Sequence, residues 1–258
     1  MVANRLSFLR LSLNAVMALA FSFVAVAAVS ADEAADKVLE EKILKVIREH
    51  PKEIMQAVVG YQRAQAEQRM KSAETQLRDK VAQLKSDELL GDSPTRGKAG
   101  SKLVLVEFSD FQCPYCGKAF ETVQQFMAAH EQEVLLVYKH LPLAEMHPAA
   151  TGAALAAWAA QQQGKFWEFH NAMFKGQDHL GEALYTDTAK SLGLDLERFN
   201  KDRVSEAASA AIQRDLDVAR KLDIQATPQF LLNARPITGA APLEEFEKVL
   251  GEARAEVK

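Results

Sequence analysis

The stretch of sequence that decides the fold is VEFSDFQCPYC, residues 106–116, which carries the two cysteines of the 258-residue chain. It starts inside an apolar run, residues 103–108, which is typical of a short strand buried on both faces. Cys113 follows this run after a short loop and stands where a predicted helix, about residues 113–130, begins. Because a disulfide between two cysteines this close together cannot crosslink distant parts of a fold, we expect the pair to be reactive rather than structural.

The predicted helix start gives Cys113 the environment of a reactive thiolate. Unpaired backbone N–H groups and the helix dipole favour negative charge there, and cysteines in such settings have pKa values of about 3.5–7.5. Pro114 suits the first helical turn because it has no N–H group to leave unpaired. Cys116 lies deeper in the helix. We therefore predict that Cys113 is the exposed nucleophile and that Cys116 resolves mixed disulfides.

A metal site is the main alternative for a Cys-x-x-Cys pair. Zinc needs two further ligands, and the nearest candidates, His140 and His147, are separated by six residues beyond a predicted strand. Two thiolates alone suit soft Cu(I), so a copper-binding exported protein is an alternative function. Simple burial of both thiols in the core is a further alternative. We predict that no metal and no other cofactor is required.

Beyond the motif, the chain continues as a single α/β domain. A second apolar run at residues 134–138 follows the predicted helix, and strand, helix and strand at this spacing predict a parallel βαβ unit. Only helical patterning follows, which predicts a helical insertion at about residues 147–225. The last predicted elements are a strand at residues 229–232, a turn at 233–236 and an amphipathic helix at 242–255.

The amino end, residues 1–31, is predicted to be a cleavable export signal. Arg5 and Arg10 precede an apolar stretch, and small residues lead up to a predicted cleavage site after Ala31. The stretch is also long enough to span a bilayer, which leaves an uncleaved membrane anchor as the alternative. Cleavage would leave 29 of the 31 basic residues against 35 acidic residues, a net charge of −6. This charge does not favour nucleic acid as a partner.

Residues 32–92 are predicted to form an N-terminal helical stalk. An apolar stripe begins at Leu39, and Pro51 begins a second helix. A thinner stripe from Met70 to Leu84 alternates by threes and fours, as in a helix that pairs with a copy of itself. Packing of this helix on its own domain explains the stripe equally well, so a homo-oligomer stays open. The breaker-rich residues 91–100 place the boundary to the second domain, residues 93–258.

Two separated motifs carry a resemblance to a known family. VEFSDFQCPYC and, far downstream, Ala226-Thr227-Pro228 resemble the DsbA family of bacterial periplasmic thiol–disulfide oxidoreductases. The helical insertion distinguishes this family from plain thioredoxin. The helical stalk and the Pro114-Tyr115 dipeptide between the cysteines resemble the ScsC-like branch of the family. The resemblance implies an α/β thioredoxin fold with an inserted helical domain.

The resemblance also implies an activity, a location and partners. It implies an enzyme of the periplasm that exchanges disulfides with unfolded or misfolded exported proteins. It further implies a membrane redox partner that resets the two cysteines. Oxidase, isomerase and reductase use the same motif, so the direction of exchange stays open.

Glu107 is assigned a role by its position six residues before Cys113, where the superfamily keeps a buried acid near the second sulfur. Glu107 interrupts an apolar strand, and burial of an ionised carboxylate is costly enough that its pKa should rise. Such a group could accept and return the proton of Cys116. The alternative is a glutamate at a strand end that reaches solvent.

Thr227 and Pro228 correspond to the cis-proline element that the resemblance implies. A proline at the head of the predicted strand would leave the backbone of Thr227 free to pair with an extended substrate chain beside Cys113. Asn233-Ala234 stands where relatives often have a glycine turn. The geometry after this strand is therefore open.

Overall fold

A computed structural model describes residues 36–257, apart from the side chains of residues 86 and 87. The predicted export signal, residues 1–31, lies outside the described residues. The chain divides into two compact units, one that ends at Arg69 and one that begins at Met70. Within residues 36–257, no helix is both long and apolar enough to cross a bilayer.

The N-terminal region is helical, as its apolar periodicity predicts. Helix α1 covers residues 36–49, and α2 begins at Pro51 and continues to Gln83. A short helix, α3, follows at Ser86–Leu90. The predicted helix start at Pro51 is confirmed. Proline fits there because the first helical residues have no intrahelical partner for an N–H group.

The second unit is built around a five-stranded sheet with the strand order β1-β3-β2-β4-β5. The strands are β1 (Thr95–Gly97), β2 (Leu103–Ser109), β3 (Val134–His140), β4 (Gln229–Leu232) and β5 (Arg235–Thr238). Strands β2 and β3 are parallel, and the other neighbouring pairs are antiparallel. The predicted parallel βαβ unit is therefore confirmed, with β2 at the centre of the sheet.

The helices of the second unit follow the predicted order. They are α4 (Pro114–His130), α5 (Ala150–Gln161), α6 (Phe166–Lys175), α7 (Glu182–Ser191), α8 (Leu196–Asp202), α9 (Glu206–Lys221) and α10 (Leu243–Glu256), with a 3₁₀ turn at Gln177–His179. Helices α5 to α9 lie between β3 and β4 in the chain, so the predicted helical insertion is present as a block.

Strand β1 was not predicted, because it lies within the breaker-rich residues 91–100. Its three residues pair with β3 at the edge of the sheet. Gly97 has a φ of 96°, and an added Cβ would lie 2.2 Å from the carbonyl oxygen of Val134. A glycine is therefore required for this close approach, and a strand that depends on its neighbour carries little signal of its own.

The turn after β4 is shorter than the predicted residues 233–236. It consists of Asn233 and Ala234, with φ values of 48° and 65°. The Asn233 side chain accepts a hydrogen bond from Val104 N at 2.8 Å and donates one to Lys102 O at 2.9 Å. These bonds hold the left-handed conformation without glycine. Pro236 belongs to β5, an edge strand in which a missing N–H is tolerated.

The two faces of the sheet bury different sets of residues. Leu103 and Leu105 of β2 pack with α4 and α10, whereas Val106 and Phe108 face the other side, where α9 lies. That second face is also covered by apolar residues of the chain just before the sheet: Leu77, Val81, Leu84, Leu89 and Leu90. Helix α3 and the last turns of α2 are thus packed within the second unit. Because side chains alternate along a strand, Glu107 lies on the same face as Leu105, the face covered by α4.

Candidate active site

Cys113 stands at the first turn of α4, as its position in the sequence predicts. The expectation that it is exposed is wrong: 4% of its surface is accessible, because the Thr227 backbone lies against its sulfur. It caps the helix in an extended conformation, with φ −68° and ψ 121°, and Pro114 follows inside the first turn. The carbonyl oxygen of Cys113 accepts hydrogen bonds from the backbone N–H groups of Cys116 and Gly117, at 3.0 and 3.1 Å. The sulfur is therefore held where the N–H groups at the helix start converge.

The pKa of Cys113 is lowered to about 5. The hydrogen bond from the Cys116 thiol is the main cause, with further contributions from Thr227 and from the backbone N–H groups of Cys116 and Tyr115, while burial of the sulfur opposes them. In the thiol form, Cys113 Sγ can donate to the carbonyl oxygen of Thr227 at 3.4 Å. At neutral pH the thiolate form predominates, and it is the form that attacks disulfides.

Cys116 lies one turn deeper and is fully buried. Its sulfur accepts a hydrogen bond from Asp110 N at 3.4 Å. Burial raises the pKa of Cys116 strongly, and the neighbouring Cys113 raises it further. The pKa values of the two buried sulfurs are thus shifted in opposite directions, because hydrogen bonds to Cys113 favour its thiolate whereas burial disfavours the thiolate of Cys116.

Glu107 is buried, with 2% of its surface exposed, so the alternative of a strand end that reaches solvent does not apply. Burial raises the pKa of Glu107 to about 7, and the nearby Ser109 hydroxyl acts in the opposite direction. The carboxyl group can therefore gain or lose a proton near neutral pH. Glu107 pairs in register with Tyr138 of β3 and Phe230 of β4.

The Ser109 hydroxyl lies near both Glu107 and Cys116. It lowers the pKa of both groups, although neither contact reaches good hydrogen-bonding geometry. Burial raises the pKa of Tyr138, and charges on Glu107 and Cys116 raise it further. The four side chains therefore share one buried space beneath the start of α4. The sequence alone did not indicate Ser109 or Tyr138 as site residues. Ser109 lies two positions after Glu107 and therefore on the same face of the strand, which is the signal that could have found it.

Thr227 and Pro228 lie beside Cys113 although they are more than a hundred residues away in sequence. The peptide bond between them is cis, as the resemblance implies. The Thr227 carbonyl oxygen lies 3.4 Å from Cys113 Sγ. Pro228 precedes β4, which pairs with β2, and this pairing brings the loop to the start of α4.

Tyr115 is the exposed member of the dipeptide between the cysteines, with 60% of its surface accessible. The ammonium group of Lys118 lies 5.3 Å from the centre of its ring. Pro114 and Tyr115 thus form the outer surface of the first helical turn, next to Cys113.

A family model described as Thioredoxin matches residues 89–252, which is more than half of the chain. The chain belongs to the thioredoxin family. A solved structure of a thioredoxin-like oxidoreductase from Silicibacter pomeroyi has 30% sequence identity and a TM-score of 0.62, and the match covers 67% of this chain and 99% of that protein. The catalytic domain of Proteus mirabilis ScsC has 25% identity and a TM-score of 0.61, with 69% of this chain and 98% of that domain covered. The predicted resemblance to DsbA- and ScsC-like proteins is confirmed.

Curated relatives of this thioredoxin-family chain include much longer proteins. The protein named Na(+)/H(+) antiporter NhaA 3 from Salinispora tropica is 36% identical over 63% of this chain and 25% of the antiporter. The chain spans about a quarter of the length of the curated relatives it matches.

The loop before Cys113 is held by Asp110. This residue lies within the sequence motif, but nothing in the motif indicated its structural role. Its buried carboxylate accepts hydrogen bonds from Gln112 N at 2.7 Å, from Leu143 N at 2.9 Å and from His147 Nδ1 at 2.7 Å. His147, one of the two nearest candidates for a zinc ligand in the sequence, is thus a hydrogen-bond partner of this carboxylate. Within residues 36–257, no cluster of three or more His, Cys, Asp or Glu side chains could hold a metal ion.

We expect Glu107→Gln to slow the attack of Cys116 on a mixed disulfide by roughly tenfold to a hundredfold, because an amide cannot take up the thiol proton. The measurement is the rate of resolution between pH 6 and pH 9, followed with a preformed mixed disulfide at Cys113. The rate of the first attack by Cys113 serves as the control and should stay the same. Resolution rates that match those of the unmodified chain across this range would remove Glu107 from the mechanism.

Two fully buried histidines lie close to the site, packed against Phe111 and Tyr138. Burial lowers the pKa of His140 to about 3 and that of His170 to about 4. Both side chains are therefore neutral in the folded protein at pH 5, whereas they take up protons in the unfolded chain. The sequence did not distinguish them from ordinary surface histidines.

We expect the protein to lose stability between pH 7 and pH 5. Below pH 6.5 the unfolded chain binds more protons at His140 and His170 than the folded protein, so the free energy of unfolding falls, by about 2 kcal/mol per histidine at pH 5. Glu107 acts in the opposite direction. Its folded pKa of about 7 lies above the unfolded value, so the folded protein binds more protons as the pH falls. Between pH 7 and pH 5, protonation of Glu107 adds about 2 kcal/mol to the free energy of unfolding, which offsets the loss caused by one of the two histidines.

The matched comparison is Glu107→Gln, which keeps both histidines and removes the offsetting group. Denaturant unfolding of the disulfide form, in which Cys113 does not titrate, should show a loss from pH 7 to pH 5 that is about 2 kcal/mol larger in this variant. An equal pH dependence in the two proteins would contradict the raised pKa of Glu107.

Proposed function

We propose that the chain is a thiol–disulfide oxidoreductase that exchanges disulfides with exported proteins. The single observation that carries this proposal is the arrangement of the two sulfurs. Cys113 has a pKa of about 5 and lies 3.4 Å from the Thr227 carbonyl oxygen, while Cys116 is buried behind it. A nucleophile with an adjacent resolving thiol is the arrangement that disulfide exchange requires.

The proposed reaction begins with the disulfide form. A substrate thiolate attacks Cys113 Sγ, a bond forms between the two sulfurs, and the bond between Cys113 and Cys116 breaks. Cys116 leaves as a thiolate and takes a proton from Glu107, whose pKa of about 7 suits this transfer. A second substrate thiolate then attacks the substrate sulfur of the mixed disulfide. The substrate gains a disulfide, and the two electrons remain on the reduced cysteine pair.

Cys113 is a good leaving group in the second step because its thiolate is stabilised. The same stabilisation favours the reduced form over the disulfide form. The disulfide form is therefore an oxidant of substrate thiols. This argues for oxidation or isomerisation of substrates rather than for their reduction. Release of the low-pKa Cys113 thiolate would serve both reactions.

The substrate backbone is proposed to lie against the loop before β4. Thr227 is half-buried and its carbonyl oxygen borders the sulfur. An extended chain at this edge could form backbone hydrogen bonds with Thr227 and place its own sulfur next to Cys113. Pro228 would hold the loop, and the exposed Tyr115 would contact the substrate from the other side.

The periplasm is the proposed location, reached through cleavage of residues 1–31. The proposed domains are the helical region of residues 32–92 and the thioredoxin domain of residues 93–258, with the end of the helical region, from Leu77 to Leu90, packed on the sheet of the second domain. A membrane redox partner would return the cysteines to their working state. A partner that oxidises the pair would make the protein an oxidase, whereas a partner that keeps it reduced would make it an isomerase.

Self-association is proposed for the N-terminal helices. Within the first unit, α1 and the start of α2 expose large apolar side chains: Val38, Leu39, Ile43, Leu44, Val46, Ile47, Met55, Val58, Val59 and Tyr61. Such a set is more than a short pair of helices leaves in water, so we propose that other copies cover it. Several Cys113 centres would then act on one misfolded substrate, which suits an isomerase.

The test is a turnover assay with the chain from Asp32 onward. The disulfide form should oxidise a reduced, unfolded dithiol protein with many turnovers when a small disulfide compound re-oxidises it. The reduced form should be assayed separately for recovery of a protein with scrambled disulfides. Turnover in neither assay would exclude the proposed function, and the ratio of the two activities decides the direction.

A further inference from the structure

Gln177 of the helical insertion reaches across to the cysteine motif. It begins the 3₁₀ turn after α6, and its side-chain Nε2 donates two hydrogen bonds to backbone carbonyl oxygens. One goes to Phe111 at 2.7 Å and the other to Cys113 at 2.9 Å. A single amide group therefore joins the insertion to both ends of the loop that carries the nucleophile.

The first turn of α4 is shaped to receive this amide. A Cβ added at Gly117 would lie 2.5 Å from Gln177 Oε1, closer than side chains approach one another. The absence of a side chain at Gly117 thus leaves the space in which the Gln177 amide lies flat against the helix. This complementarity links two residues that are 60 positions apart in the sequence.

The contact also has an electrostatic consequence. The carbonyl oxygens of Cys113 and of Phe111, two residues before it, carry partial negative charge on the loop that holds the nucleophilic sulfur. Phe111 is almost fully buried, so its carbonyl needs a donor from the protein. The Gln177 N–H groups supply that donor, and they also offset the partial negative charge of the Cys113 carbonyl oxygen, which belongs to the same residue as the sulfur.

We propose that Gln177 is a positioning residue for the exchange reaction, which holds the Phe111–Cys113 loop so that the sulfur faces Thr227 and is supported as a nucleophile. This inference rests on the proposed function. It makes the helical insertion a part of the reactive centre, because the insertion supplies the amide that the thioredoxin core lacks at this place.

The test compares two isosteric substitutions in the full mature chain. Gln177→Glu replaces the donating amide with a carboxylate of nearly the same shape, which repels both carbonyl oxygens and the Cys113 thiolate. Gln161→Glu is the control, since the Gln161 amide also donates to a backbone carbonyl, that of Asp92, but at a place outside the site. The measurements are the thiolate absorbance of the reduced protein against pH and the melting temperatures of the reduced and disulfide forms.

We expect Gln177→Glu to raise the midpoint of thiolate formation by about one pH unit, which is about tenfold less thiolate at low pH. It should lower the melting temperature of the reduced form more than that of the disulfide form, whereas Gln161→Glu should leave the midpoint unchanged. If Gln177→Glu does not fold, Gln177→Met keeps the volume without donors or charge and should shift the midpoint in the same direction.

An unchanged midpoint with equal loss of stability in both redox forms would overturn the proposal, because Gln177 would then only satisfy two carbonyl groups. The measurement does not depend on turnover. A chain that shows the midpoint shift but no exchange activity would therefore contradict the proposed function and leave the positioning of the sulfur supported.

Discussion

Cys113→Ser is expected to reduce disulfide exchange to the uncatalysed rate, whereas Cys116→Ser is expected to accumulate mixed disulfides with substrate proteins. The reason is the difference between the two sulfurs. Cys113 has a pKa of about 5 and lies beside Thr227, while Cys116 is fully buried and its pKa is raised. Only the first sulfur can begin the attack, and only the second can end the mixed disulfide from within the protein.

Alkylation of the reduced protein measures this difference without a substrate. At pH 7 almost all of Cys113 is thiolate and almost none of Cys116 is, so Cys113 should react on the order of a hundredfold faster or more. Serine is the matched replacement for each cysteine because it keeps the shape of the side chain. Equal alkylation rates for the two thiols at neutral pH would defeat the assignment, as would a Cys113→Ser protein that still forms mixed disulfides.

A chain that begins at Ser93 is expected to be about 5 kcal/mol less stable than one that begins at Met70. The residues removed include five apolar side chains that cover one face of the sheet: Leu77, Val81, Leu84, Leu89 and Leu90. Each is partly buried, which corresponds to about 1 kcal/mol per side chain. Three ion pairs, Arg78–Glu256, Lys80–Asp223 and Glu88–Lys221, would be lost as well, but such exposed pairs contribute little.

Denaturant unfolding of the two shortened chains and of the full mature chain measures this effect. Since small domains are stable by only about 5–15 kcal/mol, a loss of about 5 kcal/mol removes a third or more of that stability. The chain from Ser93 should therefore unfold at a much lower denaturant concentration than the chain from Met70. Leu77→Ala in the full chain is a milder version of the same change and should cost about 1–2 kcal/mol. Equal stability of the two shortened chains would show that residues 70–92 are not part of the packing.

The same chains test self-association. The chain from Met70 lacks the exposed apolar residues of α1 and of the start of α2, so it should be monomeric by light scattering, while the full mature chain should be larger. The Met70 chain should keep simple dithiol oxidation and lose isomerisation of scrambled disulfides. A monomeric full chain at tens of micromolar would remove the structural basis for an isomerase and favour an oxidase.

Local patterns predicted the elements that carry the chemistry. The apolar run before VEFSDFQCPYC, the proline after Cys113 and the periodicity of the following residues predicted β2, the loop and α4, and all three are present. Pro51 likewise predicted the start of α2. These features could be read from the sequence because each depends on neighbours within a few residues: backbone N–H groups at a helix start, or side chains that alternate along a strand.

Other elements needed partners from far away in the chain. Strand β1 forms because it pairs with the edge of β3. The turn at Asn233-Ala234 contains no glycine and is held by hydrogen bonds of the Asn233 side chain with Lys102 and Val104. In the same way, the thin apolar stripe of the second half of α2 indicated a buried face without saying what buries it. For the residues from Leu77 onward, the structure shows that the sheet of the second unit does so.

The sequence by itself determined which sulfur begins a helix, and this follows from local chain geometry. Only the tertiary structure decided what surrounds that sulfur. The pairing of β4 with β2 brings Thr227 to 3.4 Å from Cys113, and the insertion places Gln177 over the same loop. The alternation of side chains along β2 places Glu107 on the face that α4 covers. Its pKa of about 7, however, depends on its burial beneath elements that are distant in the sequence. Periodicity tells which side of an element is apolar. It does not tell which distant residue will cover that side, because burial and charge depend on contacts that only the folded chain forms.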